Sequence, residues 1–346
     1  METRLYLLER YMMDRVKPIV ASWHLKPYRE YQIKEHLLEN YVIDEIDDLL
    51  THRGNFGFVA EERGTLVGLV SVERLDWDTK HFGIEMARIP HLIASGGYSK
   101  AFELKCELIV CILAKCREEK ISHLSARVFK EDLTSIHALE INSFRLMDVI
   151  VTNSFDLRKK EISRESQWHV REFKQKDIPK LIEIAIESFK EKPVTKQRFH
   201  ADPYLPKEKS EDLYVQWLIN ACEGLADTLL VCEINEAIVG FSACKVEKSL
   251  AEKIGLRLGN VFITGVTPSA RGRGVHRSLL SSALHWFSDK VDIVEVGAEI
   301  SNYAVQRAWN RLGFDIIRSQ CTFHWSPYME SNYTRVKQAC ARARKC

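Results

Sequence analysis

Residues 259–287 read GNVFITGVTPSARGRGVHRSLLSSALHWF and are the most informative part of the chain. Residues 261–266 are mostly β-branched or aromatic and predict a strand. Pro268 ends it, and residues 275–287 have the pattern of an amphipathic helix. The run RGRG (271–274) lies between them. A glycine loop at a helix N-terminus exposes backbone N–H groups and the positive end of the helix dipole. This segment therefore predicts an anion-binding site.

The charges of the loop favour phosphate as the anion. Arg271 and Arg273 lie in the loop, and Arg277 follows one turn into the helix. Guanidinium groups bind phosphate oxygens in pairs of hydrogen bonds. The loop has no GK[ST], which excludes a P-loop, and it lacks the third glycine and following acid of a dinucleotide-binding fingerprint. The sequence therefore predicts a phosphate loop of another kind, with a plain capped helix as the alternative.

The chain contains an internal repeat. FGFVAEERGTLVGLVSVERL (56–75) and TLLVCEINEAIVGFSACKVEK (228–248) both read as strand, turn and strand, and their Val-Gly pairs are 172 residues apart. DLTSIHALEINSF (132–144) resembles NYAVQRAWNRLGF (302–314) at a spacing of 170 residues. Both spacings are close to half of the 346 residues. A tandem duplication is therefore predicted.

Each half has the same predicted order: leading helices, a hairpin, a third strand, a long helix, a strand, a short helix and a final strand. This order predicts an α/β (α+β) fold, with a mixed, partly parallel twisted sheet flanked by helices in each copy. The predicted domains are 1–160 and 168–327, joined through the polar stretch 158–167. A basic C-terminal tail, 328–346, follows them.

Composition excludes several classes of protein. Lys and Arg total 50 against 48 Asp and Glu, so the net charge is +2, which argues against a nucleic-acid binder. The longest apolar run, 108–114, has seven residues, whereas a membrane helix needs about 20. Residues 1–18 carry charges throughout and lack the apolar core of a signal peptide, so none is expected. We expect a cytoplasmic protein with no membrane partner.

The nine cysteines are scattered along the chain, and no CxxC pair occurs. Cys106, Cys111 and Cys116 fall at five-residue steps on one predicted helix, which spreads them around it. Reduced thiols are expected. Histidines and carboxylates do not cluster at ligand spacing, so no metal site is predicted.

The loop resembles the acyl-CoA pyrophosphate loop of the GCN5-related N-acetyltransferases (GNAT), whose pattern is [Q/R]xxGx[G/A]. Arg271 and Gly274 fit it, and His276 stands where glycine or alanine is usual. Asn302 and the later Leu-Gly-Phe at 312–314 resemble a second feature of the family. The resemblance implies tandem GNAT-like domains, the first a degenerate copy and the second catalytic, with acetyl-CoA or another acyl-CoA as cosubstrate.

The resemblance also implies residue roles. The loop would hold the diphosphate, and backbone donors near Gly265 and Val266 would polarise the thioester. Asn302 would hydrogen-bond the pantetheine or lie near the thiol. In most members of the family, a tyrosine seven residues after the Asn acts as the general acid. Here Trp309 stands at that position, and we expect it to pack on pantetheine. The predicted cofactor-binding residues are Val266, Arg271, Gly272, Arg273, Gly274, Val275, His276, Asn302 and Trp309. In the first copy, Gly96-Gly97 lacks the arginines; either no site remains there or these glycines still cradle phosphate.

The family's reaction is direct attack by a neutral amine on the thioester. Glu299, at the end of a predicted strand, is the first candidate for the base, and His200 and Asp202 follow. Indole at 309 cannot usefully protonate a thiolate, so Tyr303 or water is the candidate acid; otherwise the thiolate leaves unassisted. Glu299 as a solvated strand end is the alternative reading.

A narrower resemblance concerns the acceptor. LDWDTKHFG (75–83) looks like the WDSxFFG segment of the dTDP-fucosamine acetyltransferases, and RFHADP (198–203) with the later DLY and Trp217 is similar to another of their segments. It implies a nucleotide-linked amino sugar as the small amine acceptor. Core packing of the same aromatics is an equal alternative. An antibiotic, amino acid or protein amine, or a non-catalytic CoA-binding module, also stay open, as do a monomer and a homodimer.

Overall fold

The computed structural model describes residues 3–162, 167–189 and 198–329. The chain divides into two compact units: unit 1 is Met1–Asp148 with Gln320–Cys346, and unit 2 is Val149–Ser319. Most of the predicted basic tail and part of the predicted linker fall outside the described residues. No helix in the described ranges is long and apolar enough to span a membrane.

Unit 1 is built on a mixed sheet. Its strands are β1 (Arg4–Leu7), β2 (Phe56–Glu62), β3 (Thr65–Arg74), β4 (Met86–Ala94) and β5 (His123–Phe129), and its helices are α1 (Met13–Ser22), α2 (Glu35–Thr51), α3 (Asp76–Phe82), α4 (Tyr98–Glu118) and α5 (Leu133–Ile141). The strands pair antiparallel from β1 to β4, and β4 pairs parallel with β5. The last part of β12 (Asp315–Trp325) pairs antiparallel with β5.

Unit 2 repeats this arrangement. Its strands are β7 (His169–Glu172), β8 (Thr228–Ile234), β9 (Ala237–Val246), β10 (Leu258–Val266) and β11 (Ile293–Glu299), and its helices are α6 (Ile178–Phe189), α7 (Arg198–Ala201), α8 (Lys207–Asn220), α9 (Lys248–Ile254), α10 (Val275–Phe287) and α11 (Tyr303–Leu312). Strands β7 to β10 pair antiparallel, β10 pairs parallel with β11, and β11 pairs antiparallel with β6 (Arg145–Asp156). The predicted mixed, partly parallel sheet flanked by helices is confirmed.

The terminal strands are exchanged between the two halves of the sequence. Most of β6 belongs to unit 2, although it ends the first half, and residues 320–325 of β12 belong to unit 1. The predicted ranges 1–160 and 168–327 put residues 149–156 of β6 and 320–325 of β12 in the opposite unit, so the observed division differs from the predicted one. The physical reason is that an apolar strand pattern fixes the faces of a strand and leaves its partner open.

Corresponding glycines explain the Val-Gly repeat. A Cβ atom at Gly240 in β9 would lie 3.0 Å from Val275 and 3.3 Å from Leu279 of α10. A Cβ atom at Gly68 in β3 would lie 3.0 Å from Leu108 of α4. Each glycine therefore lets the long helix of its unit pack directly on the sheet, and the two units share this contact because they share the fold.

Candidate functional site

Strands β10 and β11 separate partway along their length. Their parallel pairing covers Leu258–Val261 and Ile293–Val296. A bulge between Val261 and Ile263 then shifts the register of β10 against β9. Beyond this point β10 follows β9 to Val266, whereas β11 follows β6 to Glu299. A gap therefore lies between the carboxyl ends of two parallel strands, next to Val266.

The backbone of Val266 faces this gap. The N–H of Thr267 donates to the carbonyl of Val239 at 2.9 Å. Since alternate residues of an antiparallel strand bond to the same neighbour, Gly265 also turns its backbone groups to β9, and Val266 turns its own away from β9. The pairing of β10 with β11 ends at Val261, so in the described part of the chain β11 supplies no ladder partner for the N–H of Val266. One backbone donor is thus directed into the gap.

The glycine loop leads from the end of β10 to the start of α10. Residues Pro268–Ala270 form a 3-10 turn, and Gly272 and Gly274 adopt positive φ values of 74° and 80°. Gly274 is the N-cap of α10 and receives no side-chain capping bond. Gly274, Val275 and His276 form the start of α10, where backbone N–H groups have no acceptor within the helix itself. The glycine loop thus leads into a helix N-terminus, as predicted, and its binding of an anion stays a prediction.

The loop arginines are exposed at the same place. The Nε of Arg271 donates to the carbonyl of Val266 at 3.3 Å, so its outer nitrogens remain available to a ligand. The guanidinium of Arg273 lies 5.4 Å from the centre of the Trp168 ring, and the indole N–H of Trp168 donates to the Arg273 carbonyl at 2.6 Å. Positive charge and unbonded N–H groups therefore lie together around the start of α10.

Helix α11 brings Asn302 near the end of β11. Asn302 is the N-cap of α11, yet its side chain makes no capping hydrogen bond, and it is half-buried. Trp309 lies seven residues later and hence on the same face of the helix. The amide of Asn302 is available for a ligand, and the binding role implied for it stays a prediction.

Trp309 and His276 are packed together. Trp309 is 4% exposed and belongs to the core of unit 2, and its ring centre lies 6.5 Å from that of His276. Burial lowers the pKa of His276 to about 4, so the ring is neutral at neutral pH. The Nδ1 of His276 and the Nε1 of Trp309 are both shielded from solvent with no partner in the described part of the chain. The predicted contact of Trp309 with a cofactor remains a prediction, because the ring lies in the core.

Glu299 ends β11, as predicted, but its carboxylate is engaged. Its Oε2 accepts hydrogen bonds from the backbone N–H, at 2.8 Å, and the hydroxyl of Ser301. Its carbonyl accepts from the N–H of Asn302 at 2.9 Å. Glu299 therefore stabilises the turn into α11. Tyr303, the first residue of that helix, is 62% exposed. A catalytic role for either residue stays a prediction.

His200 is part of a row of stacked rings. Its ring lies 5.9 Å from that of Tyr214, and Tyr214 lies 4.4 Å from Phe189, with both pairs 15° from parallel. Burial lowers the pKa of His200. Asp202 is 3% exposed and its carboxylate accepts the N–H of Tyr204 at 2.9 Å, which stabilises a turn. Its catalytic role, like that of His200, stays a prediction.

The aromatics of the narrower resemblance divide by burial. Phe82 and Phe199 are 3% and 4% exposed, which makes them core residues of their units. Trp77 is 39% exposed and stacks on His81 with 5.2 Å between ring centres. Core packing, the alternative to contact with the acceptor, therefore describes Phe82 and Phe199. Trp77 instead lies at the surface of α3.

Sequence reasoning missed Ser188. Its side chain is 3% exposed and its Oγ donates to the carbonyl of Val266 at 3.1 Å. The signal was present, because Ser188 continues the buried stripe of α6 formed by Leu181, Ile184 and Ala185. A buried polar side chain needs a hydrogen-bond partner, and the partner of Ser188 is the carbonyl of Val266 at the end of β10.

Residues 190–314 match the model of the Acetyltransferase (GNAT) family. An uncharacterized N-acetyltransferase of Methanocaldococcus jannaschii is 30% identical over 115 residues, which is 32% of this chain and 48% of that protein. The chain thus spans about half the length of this relative.

Two solved structures share the fold over 94% of this chain. One is a GCN5-related glucosamine N-acetyltransferase region of a fungal multi-domain GH3 β-N-acetylglucosaminidase, with a TM-score of 0.61, 14% identity and 38% of that chain covered. The other is a tandem GNAT protein from the clavulanic acid biosynthesis pathway, with a TM-score of 0.55, 12% identity and 98% of that chain covered. At these identities the likeness concerns the fold.

Proposed function

We propose that the chain is an acyl-CoA-dependent N-acetyltransferase with its cosubstrate site in unit 2. One observation carries the proposal: the gap between β10 and β11 lies beside the unbonded N-terminus of α10. A long, flexible thioester with a diphosphate needs both parts, an extended backbone edge for its amide-bearing arm and an anion site for its charge. The family match over residues 190–314 includes both parts.

The loop would bind the diphosphate. The N–H groups of Gly274, Val275 and His276 supply donors, and the helix dipole adds partial positive charge. Arg271 and Arg273 add formal charge at an exposed position. The arm of the cosubstrate would then lie along β10, with the amide of Asn302 available to it from the other side of the gap.

The reaction would be a direct acyl transfer. The nitrogen of a neutral amine attacks the carbonyl carbon of the thioester, the new C–N bond forms, and the C–S bond breaks with its electron pair on sulfur. The N–H of Val266 would stabilise the negative charge that develops on the carbonyl oxygen. The excess proton of the amine would pass to His200, which burial keeps neutral, or to Glu299.

The leaving thiolate has two routes. Tyr303 is exposed beside Asn302 and would donate a proton, or the thiolate would leave unassisted. The acceptor that we propose is a small amine of an amino sugar. A fold neighbour named as a glucosamine N-acetyltransferase region and the narrower sequence resemblance support this class. Amino acids, aminoglycoside-like antibiotics and protein amines are the competing acceptors.

Release of free thiol from acetyl-CoA tests the activity. The purified chain is incubated with acetyl-CoA and a panel of amines: glucosamine, nucleotide-linked amino sugars, amino acids, an aminoglycoside and a basic peptide. We expect amine-dependent release with an amino sugar. A rise in melting temperature with acetyl-CoA, by preferential binding to the folded state, without release for any amine would favour a non-catalytic CoA-binding module. No binding at all would contradict both readings.

A further inference from the structure

The carbonyl of Val266 receives two hydrogen bonds from outside the sheet. Ser188 in α6 donates its hydroxyl at 3.1 Å, and Arg271 in the glycine loop donates its Nε at 3.3 Å. In a continuous sheet this carbonyl would accept from the next strand, but β11 has already separated from β10. Ser188 and Arg271 therefore take the place of the missing strand.

The two hydrogen bonds to the carbonyl of Val266 also orient the N–H of this residue. In an extended strand the N–H and C=O groups of one residue point to the same side, so holding the carbonyl of Val266 also orients its N–H. The N–H is the donor that the proposed function directs at the acyl oxygen. Preorganised donors stabilise developing charge because they need no reorganisation during the reaction.

We propose that Ser188 and Arg271 are positioning residues that hold the Val266 N–H on the acyl oxygen of the bound thioester. The inference rests on the proposed function. Ser188 acts from a buried position and touches no ligand itself. Arg271 also faces the loop, so binding of the diphosphate by its outer nitrogens would order the same guanidinium that holds Val266. The two ends of the cosubstrate site are linked through this one side chain.

A pair of ligands tests the positioning without any acceptor. Acetyl-CoA has the acyl oxygen, whereas S-ethyl-CoA is a thioether of similar size that lacks it. Isothermal titration of the full chain gives the ratio of their dissociation constants. In Ser188→Ala we expect the preference for acetyl-CoA to fall about fivefold, the value of one ordinary hydrogen bond. Affinity for S-ethyl-CoA should be unchanged.

Thr228→Val is the matched control. Thr228 is 8% exposed, and its hydroxyl donates to Glu172 at 3.1 Å, so this variant also loses one buried hydroxyl of unit 2. The registers align Thr228 with Cys244 and Val261, five residues along β10 from Val266 and roughly 16 Å away at 3.3 Å per residue. It should retain the full preference. Ser188→Cys keeps the volume with a weaker donor and serves if alanine impairs folding.

The outcomes separate the two claims. If the unsubstituted chain binds neither ligand, the proposed function fails and the inference fails with it. If it binds both but does not prefer acetyl-CoA, or if folded Ser188→Ala and Ser188→Cys keep the preference, the positioning role is overturned and the cosubstrate site stands. A reduced preference in Ser188→Ala with an unchanged one in Thr228→Val supports the inference.

Discussion

Lys105 in α4 donates hydrogen bonds to both carboxylate oxygens of Asp132, at 2.9 and 3.1 Å. Both side chains are buried, and Asp132 is the N-cap of α5. Burial alone would raise the pKa of Asp132, but the charge of Lys105 and hydrogen bonds from Lys105 and Ser135 outweigh it and lower that pKa. In the repeat, Asp132 corresponds to Asn302, 170 residues later. Unit 1 thus has an ion pair where unit 2 has an available amide.

This ion pair predicts a single cosubstrate site per chain. The ion pair joins α4 to the start of α5, at the position that corresponds to Asn302 beside the gap of unit 2. Breaking it would leave a buried charge without a partner, which costs about 3–5 kcal/mol. We expect isothermal titration with acetyl-CoA to give a stoichiometry of one. Two equivalents bound per chain would contradict this and would revive the Gly96-Gly97 site.

Gly274→Ala should weaken acetyl-CoA binding by roughly tenfold or more. An added Cβ would meet the side-chain oxygen of Gln167 at 2.9 Å, and the φ of 80° costs a non-glycine residue about 1–2 kcal/mol, so the loop must shift its N–H groups. Thermal shift and titration measure the effect.

Gly64→Ala is the control for Gly274→Ala. Gly64 has a φ of 81° with nothing within 4 Å, so it carries the same backbone strain at a hairpin turn in unit 1. Both variants should lose similar stability, and only Gly274→Ala should lose affinity. Equal affinity in the two variants would place the anion site elsewhere.

His276 predicts a loss of stability in mild acid. Its folded pKa of about 4 lies below the ordinary value of about 6.5, so the unfolded chain binds the proton first as the pH falls. The stabilisation is complete above pH 6.5 and is lost as the pH falls toward 4, by up to about 3 kcal/mol. Urea unfolding at pH 7.5 and 5 should show a smaller difference for His276→Gln than for the unsubstituted chain. Burial lowers the pKa of His200 too, so His200→Gln measures how much of the stability difference comes from that residue. If His276→Gln leaves the difference in unfolding free energy between the two pH values unchanged, the ring of His276 is solvated.

Local sequence predicted the parts of the site that depend on backbone chemistry. Glycine at 272 and 274 is required by positive φ, and this requirement is visible in the sequence as a glycine-rich run before a helix. The Val-Gly pairs likewise predicted a repeated hairpin, because each glycine meets the long helix of its unit. These features each depend on a few neighbouring residues.

Features that join distant segments were not predicted. Ser188 and Val266 are 78 residues apart, and nothing local to either residue indicates their hydrogen bond. The burial of Trp309 depends on how α10 and α11 pack, and the engagement of Glu299 depends on the turn that follows it. The pairing partners of β6 and β12 were also not predicted. Two copies of one fold offer equivalent sheet edges, so the local sequence of a strand does not decide which copy it joins.

The strand exchange predicts which fragment folds. Strand β6 pairs with β11 from Ile293 to Glu299, and Phe155 of β6 packs on Phe314 with 5.4 Å between ring centres. A fragment covering 168–327, the range predicted from sequence, lacks β6, which exposes the edge of β11 and empties the place of Phe155. Loss of a buried phenylalanine alone costs about 3–5 kcal/mol, a large part of the stability of a domain. We expect 168–327 to aggregate, whereas 145–319, which contains all of unit 2, should unfold cooperatively in urea and bind acetyl-CoA. If 168–327 unfolds cooperatively and binds acetyl-CoA with full affinity, β6 is dispensable and the strand exchange does not contribute to the stability of unit 2.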